Sequence, residues 1–156
     1  NDMQTVKIVA KKLLALKKTI AIAESCTGGL LANSLTNISG SSSFFWLGII
    51  AYDNKAKVQL LKIPQTIINK HGAVSLPVAK LMAQNVSKIL KTDFGIGITG
   101  IAGPTGGTKN KPIGLVFIAI ANKNTISAQK HLFKGSRLTI KKKAVQKALD
   151  MLLKLI

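Results

Sequence analysis

Apolar residues recur at helical intervals in the first segment, at Val6, Val9, Ala10, Leu13 and Leu14, and predict an amphipathic helix punctuated by lysines. Residues 19–24 are short, apolar and alternating, which predicts a strand. Gly28 and Gly29 break it, and an apolar pattern over 30–38 predicts a helix that starts directly after them. Residues 40–43 read as a loop, and the aromatic, β-branched run 44–52 as a strand. Asn54 is the expected N-cap of a helix from Lys55 to about Lys62. Pro64 restarts a short helix ending near Gly72. Ser75, with Pro77 in the first turn, opens another to about Lys91.

The second half reads as strand 94–99, a Gly/Pro/Thr loop over 100–111, and a long apolar strand 113–121 expected at the sheet centre. A turn at 122–124 then leads to an edge-like strand 125–133. Leu138, Val145, Ala148, Leu149, Leu152, Leu153 and Ile156 form the apolar stripe of a closing helix. Helices alternating with strands, ending in one hairpin, predict a single α/β domain, a three-layer α/β/α sandwich with a mixed β-sheet. No internal repeat or linker interrupts it.

Composition narrows the function classes. The 156 residues suit one domain, and 47% hydrophobic content suits a sizeable core. No apolar stretch reaches the roughly 18 to 20 residues needed to span a bilayer. Residues 1–18 carry no signal-like apolar region, so no membrane partner and a cytoplasmic location are expected. The single Cys26 permits no intrachain disulfide. One cysteine, two histidines and five acidic residues are too few for a usual metal site, so no metal and no cofactor are expected. The net charge of +18 raises the alternative of a basic nucleic-acid-binding accessory protein. Against it, the lysines are spread along the whole chain and aromatics make up only 4%. A lysine-rich solvated surface that speeds encounter with an anionic substrate accounts for the same charge.

Ligand sites in open α/β sheets lie at the carboxyl ends of strands, and two Gly-rich turns end strands here, 25–29 and 100–107. If the two strands are neighbours, both turns face one crevice. Ser25 sits at a strand-to-helix turn beside the backbone N–H groups of Thr27, Gly28 and Gly29, donors suited to an oxyanion or a phosphate. An ordinary helix cap fits the same letters. A serine nucleophile needs a base. His71 and His131 have no acid nearby to complete a triad. Lys57 is the better candidate: in the first turn of a helix, its charge opposes the helix dipole and its pKa falls. Tyr52 is placed to polarise the serine or relay its proton.

Several patterns fail on context. Gly95-x-Gly97-x-x-Gly100 lies inside a strand and is followed by Gly103-Pro104 instead of a helix. Residues 103–109 have Thr108 where a phosphate loop requires glycine, and no Gly-x-Ser-x-Gly elbow exists. Cys26, one position beyond Ser25, is expected to point to the opposite side and pack as a small hydrophobe. Arg137 is the only arginine among 23 basic residues, which suggests a need for a planar fork on phosphate or carboxylate.

Taken in order, Ala23-Glu-Ser-Cys-Thr-Gly-Gly29, Gly40-Ser-Ser42, Tyr52-x-Asn54-x-x-Lys57, His71-Gly-Ala-Val-Ser75, Thr99-Gly-Ile-Ala-Gly-Pro-x-Gly-Gly107, Lys111-Pro-x-Gly114 and Gly135-x-Arg137 resemble the C-terminal domain of competence/damage-inducible protein CinA. That family comprises nicotinamide-mononucleotide amidohydrolases, and the likeness covers essentially the whole chain in its stand-alone form. The resemblance implies an α/β/α fold, a homodimer, and hydrolysis of the substrate carboxamide to nicotinate mononucleotide and ammonia. It implies Ser25 as nucleophile, with Tyr52 and Lys57 as proton-transfer partners. Substrate contacts are expected from Thr27, Gly28, Gly29, Ser41, Ser42, Thr99, Gly100, Gly103 and Arg137.

Overall fold

A computed structural model describes residues 2–156. Its strands are β1 (Ile20–Glu24), β2 (Phe45–Ile50), β3 (Phe94–Gly100), β4 (Leu115–Ala121) and β5 (Ile126–Leu132). Its α-helices are α1 (Asp2–Leu16), α2 (Leu30–Thr36), α3 (Asn54–Gln59), α4 (Gln65–His71), α5 (Leu76–Leu90) and α6 (Arg137–Leu153). The strands form one mixed sheet in the order β2-β1-β3-β4-β5. The β1 strand pairs in parallel with both β2 and β3, while β3–β4 and β4–β5 are antiparallel. The expected α/β/α sandwich with a mixed sheet is therefore observed. The strand expected at the centre, β4, is fully buried but lies next to the edge strand; β3 occupies the middle. An unbroken apolar run marks a strand covered on both faces, which an inner but off-centre position also provides.

Side-chain size decides which helix covers which face. Ile20 and Ile22 of β1, Ile96 and Ile98 of β3, and Val116, Ile118 and Ile120 of β4 share one core with α1, α2 and α6. On β1 and β3 the alternate residues Ala21, Ala23, Gly95 and Gly97 are small, whereas β4 adds Leu115 and Phe117 beside Ala119 and Ala121. Ala21 and Ala23 meet α5, and Gly95 and Gly97 lie directly beneath it. A Cβ added at Gly97 would sit 2.5 Å from the Ala79 carbonyl oxygen and 2.7 Å from the Ala83 nitrogen. Glycine is required here by close approach of a helix backbone, which is why a dinucleotide-like spacing occurs without a nucleotide loop.

The loop expected at 40–43 contains a short 3-10 turn, Ser41–Ser43. The predicted N-cap of α3 shifts by one residue. Asp53, in extended conformation, accepts a 2.8 Å hydrogen bond from the Lys55 N–H, and Asn54 is already the first helical residue. A carboxylate is at least as good a cap as an amide, and it precedes the turn by the residue that geometry requires. No helix of the described residues is long and apolar enough to cross a membrane.

Candidate active site

Residue parity at the end of β1 separates three side chains. Ile20 and Ile22 face the core shared with α6, and Glu24 follows them toward α2. Ser25 therefore turns toward the α3 side. The Lys57 Nζ lies 3.0 Å from its Oγ, inside hydrogen-bonding range, with Ser25 8% and Lys57 2% exposed. Cys26 continues the alternation and joins the opposite core, as expected.

Three acceptors surround the Lys57 amine. It donates to the Ala51 carbonyl at 2.8 Å, to the Tyr52 carbonyl at 3.2 Å, and to Ser25 Oγ. Carbonyl oxygens can only accept, whereas the hydroxyl can accept or donate. A neutral amine has two N–H donors and one lone pair, which match two carbonyls and a donating hydroxyl. The pair can thus pass from an ammonium facing a hydroxyl to an amine accepting from it, with no other partner displaced. Burial lowers the Lys57 pKa, opposed by the charge of Asp53. The lowered pKa was expected from a place in the first helical turn; Lys57 lies instead in the last turn of the short α3, and the cause is desolvation, which sequence position does not report.

The β1–β3 pairing, with Glu24 opposite Ile98, brings the two Gly-rich turns together. They enclose a cavity of about 250 Å³ into which Ser25, Lys57, Tyr52, Thr99, Gly100 and Arg137 contribute. Gly103 also lines it. Thr99 is buried, and its hydroxyl donates to the Ala73 carbonyl at 2.9 Å, which ties β3 to the segment before α5. Arg137 opens α6 and uses its fork within the chain: Nη1 donates to the Gly103 carbonyl at 2.7 Å and Nη2 to the Tyr52 hydroxyl at 2.9 Å. The Tyr52 side chain is 57% exposed, so its hydroxyl partners Arg137, while its backbone carbonyl serves Lys57. No carboxylate of the described residues lines the cavity.

Other expected contacts fall differently. The Gly28 N–H donates to the Ser25 carbonyl at 3.0 Å, which tightens the turn and removes that donor from a substrate. The Leu31 and Ala32 N–H groups both donate to the Glu24 carboxylate at 3.0 Å, so the start of α2 is satisfied from within. The N–H groups of Cys26, Thr27 and Gly29 donate to no backbone carbonyl among the described residues. Ser41 and Ser42 are not brought to the cavity. They precede β2, and the Phe44 carbonyl beside them accepts from the N–H of Ile20, at the start of β1. That is the opposite end of the sheet from Ser25. Thr105, Gly106 and Asn54 line the cavity without having been singled out as contacts. The first two lie within the loop motif already noted, so contiguity was the available signal.

The family model described as "CinA C-terminal domain" matches residues 2–156. The chain belongs to the CinA C-terminal domain family. A "CinA-like protein" of Syntrophus aciditrophicus is 50% identical over 145 residues, covering 92% of this chain and 34% of that protein. A second, from Koribacter versatilis, is 48% identical over 148 residues, covering 95% of this chain and 36% of its own length. The chain thus spans about a third of the curated relatives it matches. Among solved structures, competence/damage inducible protein CihA from Agrobacterium tumefaciens superposes with a TM-score of 0.96 at 34% identity, covering 99% of this chain and 96% of that one. The competence damage-inducible protein A from Klebsiella pneumoniae gives 0.95 at 30% identity, with 99% and 96% covered.

Proposed function

We propose that this CinA-family domain is an amidohydrolase that deamidates nicotinamide mononucleotide through Ser25. The buried 3.0 Å contact between Lys57 Nζ and Ser25 Oγ carries the reading. An amine of lowered pKa beside a hydroxyl is a nucleophile–base pair. In this reaction Lys57 takes the hydroxyl proton as Oγ bonds to the carboxamide carbon, and the carbonyl oxygen becomes an oxyanion. The free N–H groups of the 26–29 turn are the donors available to it. Lys57 then protonates the departing nitrogen, ammonia leaves, and an ester on Ser25 remains. Water, deprotonated by the same amine, cleaves the ester to nicotinate mononucleotide. Every proton transfer passes through the Lys57 amine.

Tyr52 supports this chemistry from a different position than the resemblance implies. Its carbonyl orients the amine, and its hydroxyl holds Arg137 at the cavity wall. The net charge of +18 and the absence of a lining carboxylate favour a substrate bearing phosphate. A cytoplasmic setting suits an enzyme of nucleotide recycling with one free thiol. The homodimer implied by the resemblance has a candidate surface on the edge strand β2, where Trp46 and Ile50 are 50% and 54% exposed. Sedimentation velocity tests it, and a purely monomeric species at micromolar concentration would rule it out.

Ammonia release from nicotinamide mononucleotide, wild type against Ser25→Ala, tests the activity. Undiminished release from the variant would remove Ser25 from the mechanism. No release from the wild type, together with DNA affinity falling steeply with salt, would transfer the assignment to nucleic-acid binding.

A further inference from the structure

One turn beyond Arg137 on α6 stands Lys141, and residues four apart share a helix face. A Cβ added at Gly28 would lie 3.5 Å from the Lys141 Nζ, so the ammonium rests against the turn that carries Ser25. Gly28 has φ +61°, and its missing side chain leaves room for the approach. Lys141 is partly buried, yet its amine makes no hydrogen bond or ion pair among the described residues. A partly desolvated cation without an acceptor is costly. In the same turn, Thr27 is completely buried and its Oγ1 has no hydrogen-bond partner. The Lys141 ammonium has three N–H donors and can bind only an acceptor.

Glu24, at the end of β1, makes no ion pair with Lys141. Both oxygens of Glu24 already accept from Leu31 and Ala32. Arg137 meets the Gly103 carbonyl and the Tyr52 hydroxyl, which leaves further guanidinium N–H donors uncommitted. Cys26, which lines the cavity, feels the charge of Lys141. Arg137, which lines the cavity, and Lys141, against the turn at Gly28, therefore stand one helical turn apart on α6.

We propose that Lys141 is a specificity-determining residue that binds the phosphate monoester of the substrate, beside Arg137. The proposal rests on the nucleotide-amidase reading, and it assigns to a residue outside the family motifs the discrimination between a nucleotide and its nucleoside. A charge-assisted hydrogen bond to phosphate at a partly exposed site is worth roughly tenfold in affinity.

The test compares wild type with Lys141→Gln and Lys141→Arg on nicotinamide mononucleotide and on the phosphate-free riboside, by ammonia release. In Lys141→Gln the ratio of kcat/KM for nucleotide over riboside is expected to fall roughly tenfold, chiefly through KM of the nucleotide, with substantial recovery in Lys141→Arg. An unchanged ratio, or equal loss on both substrates, would overturn the proposal. Calorimetric titration of the same two compounds into Ser25→Ala and into Ser25→Ala/Lys141→Gln needs no turnover. It stays decisive if the deamidase reading fails. A phosphate-dependent gain in affinity that disappears with Lys141→Gln sustains the assignment. Equal affinities in both backgrounds, or no phosphate-dependent binding at all, reject it.

Discussion

Replacing Lys57 by methionine removes the amine while keeping a straight apolar stem of similar length. Three groups lose a donor: the carbonyls of Ala51 and Tyr52 and the Ser25 hydroxyl. Each carbonyl left dry costs about 1–3 kcal/mol. Against that, the variant no longer buries an amine that is 2% exposed in the fold. The two effects oppose each other, and the net loss is expected at about 1–3 kcal/mol, or roughly 2–10 °C in Tm for a domain of this size. Catalysis has no such compensation. Loss of a positioned base costs about 10²–10⁴ in rate. Activity should therefore fall by orders of magnitude in a protein that remains folded at assay temperature, as checked by ammonia release beside circular dichroism. Release within about threefold of wild type, less than 1 kcal/mol of transition-state stabilisation, would refute Lys57 as the base.

The same substitution gives a pH signature whose sign follows from burial. Lys57 titrates below its ordinary value of 10.5 in the folded chain, so the native state binds fewer protons than the unfolded state between the two pKa values. Stability contributed at this site is least below the folded pKa, where both states are protonated and the buried charge is paid in full. It rises as pH climbs from the folded pKa toward 10.5. The stability difference between wild type and Lys57→Met should therefore shift in favour of wild type as pH rises through that window, by urea melts at several pH values. In parallel, wild-type kcat/KM should increase with pH and level off below 10.5. A flat difference and a flat rate profile together would show that this amine is not titrating.

Three further outcomes follow. Glu24→Gln keeps one carboxamide oxygen but points an N–H group at a backbone donor of α2, so urea denaturation should show a loss of roughly 1–3 kcal/mol with ammonia release reduced as the turn loosens. Tyr52→Phe removes only the hydroxyl that Arg137 grips, so initial-rate kinetics should show KM rising more than kcat falls; a collapse of kcat at unchanged KM would place that hydroxyl in proton transfer instead. Burial pushes the Cys26 thiol up to about 12, so iodoacetamide at pH 8 should label the native protein far more slowly than the protein in guanidinium, by mass spectrometry, and rapid native labelling would contradict the buried placement.

What could be read from sequence was whatever depends on neighbours along the chain. The alternation of Ile20 and Ile22 with Ala21 and Ala23 gave a strand with one bulky and one small face, and the break at Gly28 and Gly29 located the turn that presents Ser25. Lys57 was reachable because a helix after Tyr52 had to begin within a residue or two. The reason for its lowered pKa was not reachable, since burial is a property of the assembled core. Glu24 closes its contact with α2 over seven and eight residues of loop, and the Tyr52–Arg137 bond spans 85 positions. No local pattern encodes those distances. Ser41 and Ser42 illustrate the converse. They lie in a matched motif, yet chain direction carries them to the far end of a parallel strand pair.

The same logic explains how a chain with a net charge of +18 keeps an acid-free site. Glu24 accepts from the amides of Leu31 and Ala32, Asp53 from that of Lys55, and Asp93 from both the amide and the hydroxyl of Thr19. Asp150 accepts from the Gln146 side-chain amide. These four carboxylates are engaged by donors within the fold and do not line the cavity with negative charge. Had Glu24 or Asp53 turned into it, either would have raised the Lys57 pKa and repelled a phosphate. Asp53 opposes the burial effect even from its capping position. Placing acids on backbone N–H groups thus keeps the helices that frame the site capped, and leaves burial to hold the Lys57 pKa below its ordinary value.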